Sequence, residues 1–342
     1  MTGYSMGVGL TSACPFSCSH CYSGAGRNPV HLDPARLLRF IDGFPVSAVN
    51  LGTGEACMHP DFVRVVEAIL ERGIPLALTT AGPSLSALPD RTVSCLHDVD
   101  LSLDYPTAGE HDSVRASGAF RMVEDGIARC RDLGVTVSLA MCLMKGNAGR
   151  MEEMCGLSRE NGVPLRVNVY KPVYDQGLKP SFEAFWKAVS VFFRETGVVS
   201  CSEPVVNAAL AFHGHYSSDR GSPCGLHGFR ISPSGEVLPC VYWGPTGVTM
   251  ERIQGNRELL ASCGELCHGA PVPEDCRSCP WKAICLGGCA GRRYYTGLSM
   301  PDDYCFHLRG AAPPNLRMDK QDGKEFIHSS YLCTMIGEPL GQ

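Results

Sequence analysis

The feature that most constrains this chain is the placement of its cysteines. The 342 residues include nineteen of them, and two dense groups stand out, at positions 14–21 and 224–305. A disulfide scaffold is usually a short secreted chain with a signal peptide, but the first ten residues have neither a basic start nor a long apolar stretch. We therefore expect a reducing, cytoplasmic setting in which the thiolates bind metal.

Length and charge restrict the remaining classes of protein. A chain of this length can form one barrel-sized domain and a small second domain, and its apolar fraction of 44% supplies a sizeable core. The formal net charge is -5 and no run of Lys and Arg stands out, so we expect no nucleic-acid or anionic-membrane partner. No stretch of about 18 apolar residues indicates a membrane-spanning helix.

Residues from about 5 to 196 alternate between strand-like and helix-like segments. Six strands with intervening helices predict an α/β fold with a parallel sheet. The predicted strands are 8–11, 48–51, 75–80, 99–103, 135–144 and 165–170. The predicted helices are 35–43, 61–72, 120–133, 150–161 and 182–195, and Pro83 and Pro89 leave room for little helix after the third strand.

Residues from about 224 to 310 have a different composition. Gly, Pro and Cys dominate and helical periodicity is absent, so this segment needs a metal or a covalent link to hold it together. We predict three parts: a barrel over 1–200, a cysteine-rich domain over 201–310, and a tail over 311–342. The tail either drapes over the protein or is partly disordered.

Cys14, Cys18 and Cys21 have the spacing C-x3-C-x2-C directly after the first predicted strand. Iron–sulfur clusters usually take four thiolates, so three leave one iron open for a substrate to coordinate. A structural zinc site is the alternative, although zinc sites normally add a second Cys pair or histidines. His20 is a conceivable fourth ligand, but it lies between two cysteines, where coordination would strain the loop.

The run from Cys14 to Tyr22 resembles the signature of the radical S-adenosylmethionine (SAM) superfamily, with His20 at the usually aromatic position. This resemblance implies a partial (β/α)6 barrel. It also implies that the three cysteines hold a [4Fe-4S] cluster whose fourth iron binds SAM. One-electron cleavage of SAM then gives a 5′-deoxyadenosyl radical that takes a hydrogen atom from the substrate.

Further segments resemble the SAM-binding parts of that family. The run 52–55 is similar to its GGE segment, with Thr53 at a common glycine position, and the run 111–115 is similar to its HDxxR segment. The resemblance implies that Glu55 lies at the SAM amino group and that Arg115 can pair with the SAM carboxylate. The SAM-binding residues implied in this way are His20, Tyr22, Thr53, Gly54, Glu55, Ser102, Asp104, Arg115 and Asn168.

The second cysteine group matches the seven-cysteine pattern of the SPASM domain. By ligand number such a set holds two four-iron clusters, with a pair of zinc sites as the alternative. The resemblance assigns Cys276, Cys279, Cys285 and Cys305 to an outer cluster and Cys224, Cys240 and Cys289 to an inner one. The fourth inner ligand stays open between Cys201, Cys263, Cys267 and no protein ligand. With the SAM cluster, three [4Fe-4S] clusters are expected.

Two thiols outside these patterns, Cys57 and Cys142, follow predicted strands or lie at their ends. Buried cysteine usually acts as a small apolar side chain, but a thiol facing the radical could return a hydrogen atom, as an epimerase requires. An auxiliary cluster could instead accept an electron. We expect two-electron oxidation slightly ahead of epimerisation, with a flavodoxin- or ferredoxin-type donor supplying electrons.

The substrate class is the most open question. The barrel pattern begins almost at residue 1, without room for a separate leader-peptide domain, and the segment 20–26 resembles members that act on cofactor precursors. We therefore expect a small natural-product or cofactor-precursor substrate. The alternative is a ribosomal-peptide maturase that forms epimers, thioethers or C–C crosslinks. A non-enzymatic electron carrier is disfavoured by the barrel and by the open three-cysteine site.

Overall fold

One ten-stranded sheet organises the protein. The computed structural model describes residues 3–23, 28–215, 228–263, 266, 271–319 and 334–341. The strands are β1 (Tyr4–Val8), β2 (Val46–Leu51), β3 (Leu76–Thr80), β4 (Asp98–Ser102), β5 (Thr136–Leu143), β6 (Leu165–Val169), β7 (Thr196–Cys201), β8 (Gly228–Ile231), β9 (Val237–Leu238) and β10 (Thr334–Pro339). Their order across the sheet is β7-β10-β6-β5-β4-β3-β2-β1-β8-β9.

The six strands β1 to β6 are neighbours in chain order, and each pair is parallel. Parallel neighbours require a crossover connection, and helices supply it here. This confirms the predicted α/β class with a partial barrel. All six carboxyl ends meet at one edge of the sheet, which is where barrel active sites lie.

Local sequence signals account for most helix boundaries. The helices are α1 (Pro34–Gly43), α2 (Phe62–Leu70), α3 (Pro83–Ser86), α4 (Asp90–Val93), α5 (Ala108–Val114), α6 (Ala119–Asp132), α7 (Met151–Asn161), α8 (Phe182–Glu195), α9 (Pro204–Phe212), α10 (Met250–Gly255), α11 (Leu259–Ser262), α12 (Lys282–Cys285) and α13 (Ala290–Thr296). The Asp33 carboxylate caps α1 by accepting the N–H groups of Ala35 and Arg36. α3 and α4 are four residues each, as the prolines predicted.

The first strand differs from its prediction. β1 ends at Val8, where the predicted strand 8–11 begins. Thr11 instead forms an isolated antiparallel bridge with His31, and Leu32 N–H donates to Leu10 O at 2.8 Å. The chain has therefore turned away from the sheet before it reaches Cys14, and this turn carries the cysteine loop over the barrel edge.

The C-terminal part of the chain completes the same sheet. β8 pairs in parallel with β1, and β10 lies antiparallel between β6 and β7. Neither β7 nor β10 was predicted from the sequence. β10 reads Thr-Met-Ile-Gly-Glu-Pro, without the alternation of a half-buried strand. The sheet and the buried core both cross the boundary predicted at residue 200, and the division into domains stays a prediction.

Polar contacts also join the C-terminal part to the barrel. Arg36 of α1 pairs with Glu251 of α10, with Nη2 and Oε2 2.8 Å apart, and its Nη1 donates to Ser234 O at 3.1 Å. Both side chains are partly exposed, so this ion pair adds little to stability. Among the residues that the structure describes, no helix combines the length and apolar character needed to cross a bilayer.

Candidate active site

A single cavity at the carboxyl edge of the sheet collects most of the predicted site. Cys14, Cys18 and Cys21 line it, together with Cys142 and Cys240. Every residue predicted to bind SAM lines the same cavity: His20, Tyr22, Thr53, Gly54, Glu55, Ser102, Asp104, Arg115 and Asn168. The order of these segments along the chain therefore corresponds to one place in the fold, although their roles remain predictions.

The three thiols are held on a short, partly buried loop. Cys21 N–H donates to Cys18 O at 3.1 Å, and the Phe16 side chain packs against Ala81 and Ala119 beneath the loop. Burial, together with the smaller effect of the Glu55, Cys18 and Cys21 charges, raises the pKa of Cys14 to about 11. Neighbouring thiolates repel one another, so these thiols ionise together only when a positive group binds between them. An iron site with an open position would supply that charge.

Gly54 brings the second-strand turn against the cysteine loop. Its φ is +60°, and a Cβ there would lie 2.5 Å from Ala13 O and 2.6 Å from Thr11 O. The next residue, Glu55, donates its N–H to Ala13 O at 2.8 Å. Glycine is required because both the backbone angle and the space exclude a side chain.

The Glu55 carboxylate is buried and already has several donors. Oε1 accepts from the Ser84 N–H at 3.0 Å and from the Ser84 hydroxyl at 2.5 Å, and it also contacts the Thr80 hydroxyl. Oε2 accepts from the Ala81 N–H at 3.2 Å. Glu55 thus orders the segment that begins α3, a role that its resemblance to a SAM contact did not reveal.

Asp104 connects three elements at the centre of the site. One carboxylate oxygen, Oδ2, accepts from Arg115 Nε at 2.9 Å and Nη2 at 2.7 Å, and lies 3.3 Å from His20 Nε2. The other, Oδ1, accepts from the Cys142 N–H at 2.9 Å. Burial alone would raise the pKa of Asp104, but Arg115 and His20 outweigh it and hold that pKa well below its usual range.

The structure adds a shared partner for two of the predicted residues. Arg115 donates to Asp104 through Nε and Nη2, and its pairing with the SAM carboxylate stays a prediction. His20 lies against the same carboxylate. The sequence placed both residues at the cavity but did not reveal that their partner is Asp104.

The cavity has a polar floor that sequence reasoning missed. Asp100 accepts from the Ser138 hydroxyl at 2.5 Å and from Arg166 Nη1 at 3.1 Å. Asn50 donates to the Thr79 hydroxyl at 3.0 Å, and Arg230 Nη2 donates to Gly52 O at 2.8 Å. The available signal was the two-residue period of Asp100, Ser102 and Asp104, which places all three toward the same side of β4 and its end.

The C-terminal part supplies another wall of the cavity. Cys240, Val241 and Tyr242 line it, and the Tyr242 ring lies 5.1 Å from that of Tyr22, next to Cys21. The Tyr242 N–H lies 3.4 Å from the Cys240 sulfur, and the Lys171 ammonium lies 4.8 Å from the Tyr242 ring centre. The two cysteine groups thus meet across an aromatic contact.

The inner cysteine set is partly visible. A Cβ on Gly291 would lie 3.4 Å from the Cys240 sulfur and 3.8 Å from the Cys289 sulfur, so both thiols lie beside this glycine. Two thiols so placed fit the inner ligand set that the resemblance implies. Cys224 and Cys267 lie outside the described residues. Cys201 is at the end of β7 opposite Met335, and Cys263 packs against the apolar core.

The four cysteines assigned to the outer set lie in one region of the fold. Burial raises the pKa of Cys285 well above its ordinary value, and the charges of Asp302, Cys305, Cys276 and Cys279 act in the same direction. Their assignment to one cluster stays a prediction. In the described ranges no three His, Cys, Asp or Glu side chains converge as a site for a single metal ion.

The two candidate hydrogen donors are placed differently. Cys142 lines the cavity, and burial raises the pKa of its thiol to about 12. Cys57 belongs to the short turn Ala56–Met58, where its N–H donates to the Ser84 hydroxyl at 3.0 Å and its side chain packs against the core. Cys57 is not among the described residues that line the cavity.

Three thiols on a loop after the first strand of a partial parallel barrel, facing a glycine–carboxylate turn, define a class of enzyme. Residues 8–157 match the family described as the Radical SAM superfamily. These residues therefore form a radical SAM domain. The resemblance of the C-terminal cysteine pattern to a SPASM domain agrees with the proteins to which this chain is similar. This class implies a [4Fe-4S] cluster and SAM as cofactors.

Known proteins similar to this chain share most of its length. The mycofactocin maturase MftC of Mycobacterium ulcerans is 26% identical over 337 residues, which cover 91% of this chain and 89% of that protein. The PqqA peptide cyclase of Gluconobacter oxydans is 27% identical over 306 residues, covering 82% and 83%. The crystal structure of Streptococcus suis SuiB bound to S-adenosylmethionine shares the fold, with a TM-score of 0.66, 18% identity, and 89% and 77% of the chains covered.

Proposed function

We propose that this protein is a ribosomal-peptide maturase that modifies its substrate by radical SAM chemistry. The observation that carries the proposal is similarity over most of the chain to a maturase and to an enzyme named for its peptide substrate. The expectation of a small natural-product or cofactor-precursor substrate finds no support in these relatives. They favour the peptide alternative.

The residues of the cavity suit this chemistry. With a [4Fe-4S] cluster and SAM bound, the site gains a source of 5′-deoxyadenosyl radical. Cys14, Cys18 and Cys21 would hold the cluster, and Gly54 keeps the adjoining turn in contact with their loop. Asp104 and Arg115 neutralise one another, which limits the cost of burying charge beside the reacting groups.

We further propose three [4Fe-4S] clusters in all. The outer four cysteines lie in one region of the fold, and the sulfurs of Cys240 and Cys289 both lie beside Gly291. Cys224 is the remaining inner ligand that the cysteine pattern assigns. The electron needed for SAM cleavage would come from a flavodoxin- or ferredoxin-type donor. Ligand number gives about twelve irons per chain.

Deuterium transfer tests the substrate class before the substrate itself is identified. Extracts of the source cells grown in heavy water are separated into a peptide fraction and a small-molecule fraction. Each is incubated with reconstituted protein, SAM and reductant, and deuterium in 5′-deoxyadenosine is measured by mass spectrometry. We expect transfer from the peptide fraction that disappears after protease treatment. Transfer from the small-molecule fraction alone would contradict the proposal.

The outcome of the reaction has two candidates, each with an observation. Cys240 on the cavity wall favours two-electron oxidation, in which the substrate would lose one hydrogen atom to the 5′-deoxyadenosyl radical, one electron to an auxiliary cluster and one proton to solvent. Cys142 on the cavity wall favours epimerisation, in which its thiol would return one hydrogen atom and would be restored by one electron from the donor and one proton from solvent. Product mass in heavy water separates them, because only epimerisation leaves the formula unchanged and adds one solvent deuterium.

A further inference from the structure

A buried ion network lies between the two auxiliary cysteine sets. Arg292 of α13 bonds Glu203 through Nη1 to Oε2 at 3.0 Å and through Nη2 to Oε1 at 2.5 Å. It also bonds Asp302 Oδ2 through Nε at 3.1 Å and Nη2 at 2.6 Å. The Arg292 side chain is 2% exposed and both carboxylates are 0% exposed.

Such a network is expensive to bury. Two carboxylates share one guanidinium, and replacing buried ion pairs by apolar residues of similar volume is often neutral or stabilising. Stability alone therefore explains this arrangement poorly. The role of the network is indicated by the backbone groups that it holds in place.

Asp302 holds the backbone beside a ligand of each auxiliary set. The Cys289 N–H, in the inner set, donates to Asp302 Oδ2 at 2.9 Å. The Cys305 N–H, in the outer set, donates to Asp302 O at 3.0 Å, and the intervening Tyr304 N–H donates to Oδ1 at 3.1 Å. The Asp302 side chain thus holds the Cys289 loop directly and the Cys305 loop through the neighbouring Tyr304 N–H.

The surrounding chain is shaped to admit this residue. Gly288 has a φ of +99°, and a Cβ there would overlap the Asp302 side chain. The Arg292 guanidinium lies 5.1 Å from the Tyr304 ring, which stacks at 4.0 Å on Phe185 of α8. Through Phe185 and Glu203 the network is fixed to the barrel side of the molecule.

We propose that Asp302, held by Arg292 and Glu203, is a positioning residue shared by both auxiliary cluster sites. Loss of this anchor then disrupts both sites at once, although their ligands are different. The proposal rests on the three-cluster assignment made above. It predicts a coupling that removing a ligand from either set alone does not produce.

The test compares iron content and electron paramagnetic resonance (EPR) in matched variants. Asp302→Asn keeps the side-chain volume, but its amide removes the negative charge that Arg292 and the Cys289 N–H share. We expect its iron to fall from about twelve to about four per chain, with the SAM cluster retained. Cys240→Ala and Cys276→Ala should each keep about eight. Repeating Asp302→Asn in a Cys14, Cys18 and Cys21→Ala background leaves only auxiliary EPR signals to follow.

Two further variants separate positioning from general destabilisation. Arg36→Met breaks an ion pair that also joins the C-terminal part to the barrel but touches no cysteine loop, and it should keep all its iron. Arg292→Lys keeps the charge without the forked geometry, and it should weaken the inner and outer EPR signals in equal proportion.

The contrary results are equally specific. Loss confined to one auxiliary set in Arg292→Lys or Asp302→Asn would overturn the shared anchor, as would both sets at wild-type occupancy with unchanged reduction potentials. If Asp302→Asn also loses the SAM cluster, the protein is destabilised as a whole. The milder variant Arg292→Lys then tests the shared anchor. Wild-type protein with about four irons would overturn the three-cluster assignment itself, and the anchor with it.

Discussion

Asp104 lies where the cysteine loop, the end of α5 and strand β5 meet. It is fully buried, and its partners Arg115, His20 and the Cys142 N–H come from those three elements. Because the pKa of Asp104 is held low by Arg115 and His20, the carboxylate is charged at neutral pH. Its loss would leave the Arg115 guanidinium buried without its anionic partner.

Asp104→Asn tests this centre. Breaking one side of a buried ion pair costs about 3–5 kcal/mol, so the unfolding free energy of the apo-protein should fall by an amount of that order. Chemical denaturation measures it. The matched control is Asp125→Asn, which breaks the exposed Arg121–Asp125 pair and should cost about 1 kcal/mol or less. Equal costs for the two variants would contradict the assignment of Asp104 as the centre of the site.

Cys142 and Cys57 form a natural pair of variants. If the product gains one solvent deuterium, Cys142→Ala should abolish the gain, because Cys142 lines the cavity and Cys57 packs against the core. Cys57→Ala is the control and should leave the gain intact. Mass spectrometry of the product in heavy water gives the answer, and the reverse pattern would refute Cys142 as the donor.

Motif order predicted which residues reach the cavity but not their partners. Residues at the carboxyl ends of parallel strands must gather at one edge, so the positions of Glu55 and Asp104 followed from chain order. Arg115 follows α5, and only the resemblance placed it at the cavity. Which way a side chain turns depends on neighbours distant in the chain. For that reason, Ser84 as the partner of Glu55 and Asp104 as the partner of Arg115 were not predictable.

At the scale of elements, the turn after β2 must touch the loop after β1. Gly54 permits this contact, because a Cβ would overlap Ala13 O and Thr11 O. Gly54→Ala should displace the cysteine loop, remove about four irons and suppress 5′-deoxyadenosine formation. Iron analysis and product assay measure the effect.

Gly73→Ala is the matched control for this prediction. Gly73 has a φ of +67°, close to the +60° of Gly54, but no atom lies within 4 Å of the position a Cβ would take. The two variants therefore share backbone strain and differ only in the contact. Equal iron loss in both would show that strain, and not the contact, is responsible.

The elements that were predicted correctly are those whose buried positions repeat at regular spacing in their own sequence. α8 was predicted with the bounds found, Phe182–Glu195, because its apolar positions repeat at helical spacing. β10 was missed because its burial comes from β6 and β7, more than a hundred residues earlier. Pairing over such a distance leaves no periodic signal in the strand itself.

At the scale of the whole molecule, the barrel and the cysteine-rich part form one site. Arg230, Cys240 and Tyr242 come from the C-terminal part and line the same cavity as Cys14, Cys18 and Cys21. The cysteine pattern predicted that both parts bind clusters, but their contact across Tyr22 and Tyr242 required the fold. Reactions at the first cysteine group, 14–21, and at the C-terminal cysteine group are therefore expected to be coupled.

The most direct measurement of the central claim is 5′-deoxyadenosine formation by reduced, anaerobically reconstituted protein with SAM. Wild-type protein should form it. A variant with Cys14, Cys18 and Cys21 all changed to Ala should form none while keeping about eight irons, because the auxiliary ligands are untouched. Undiminished 5′-deoxyadenosine from the triple variant, or none from the wild type, would contradict the account.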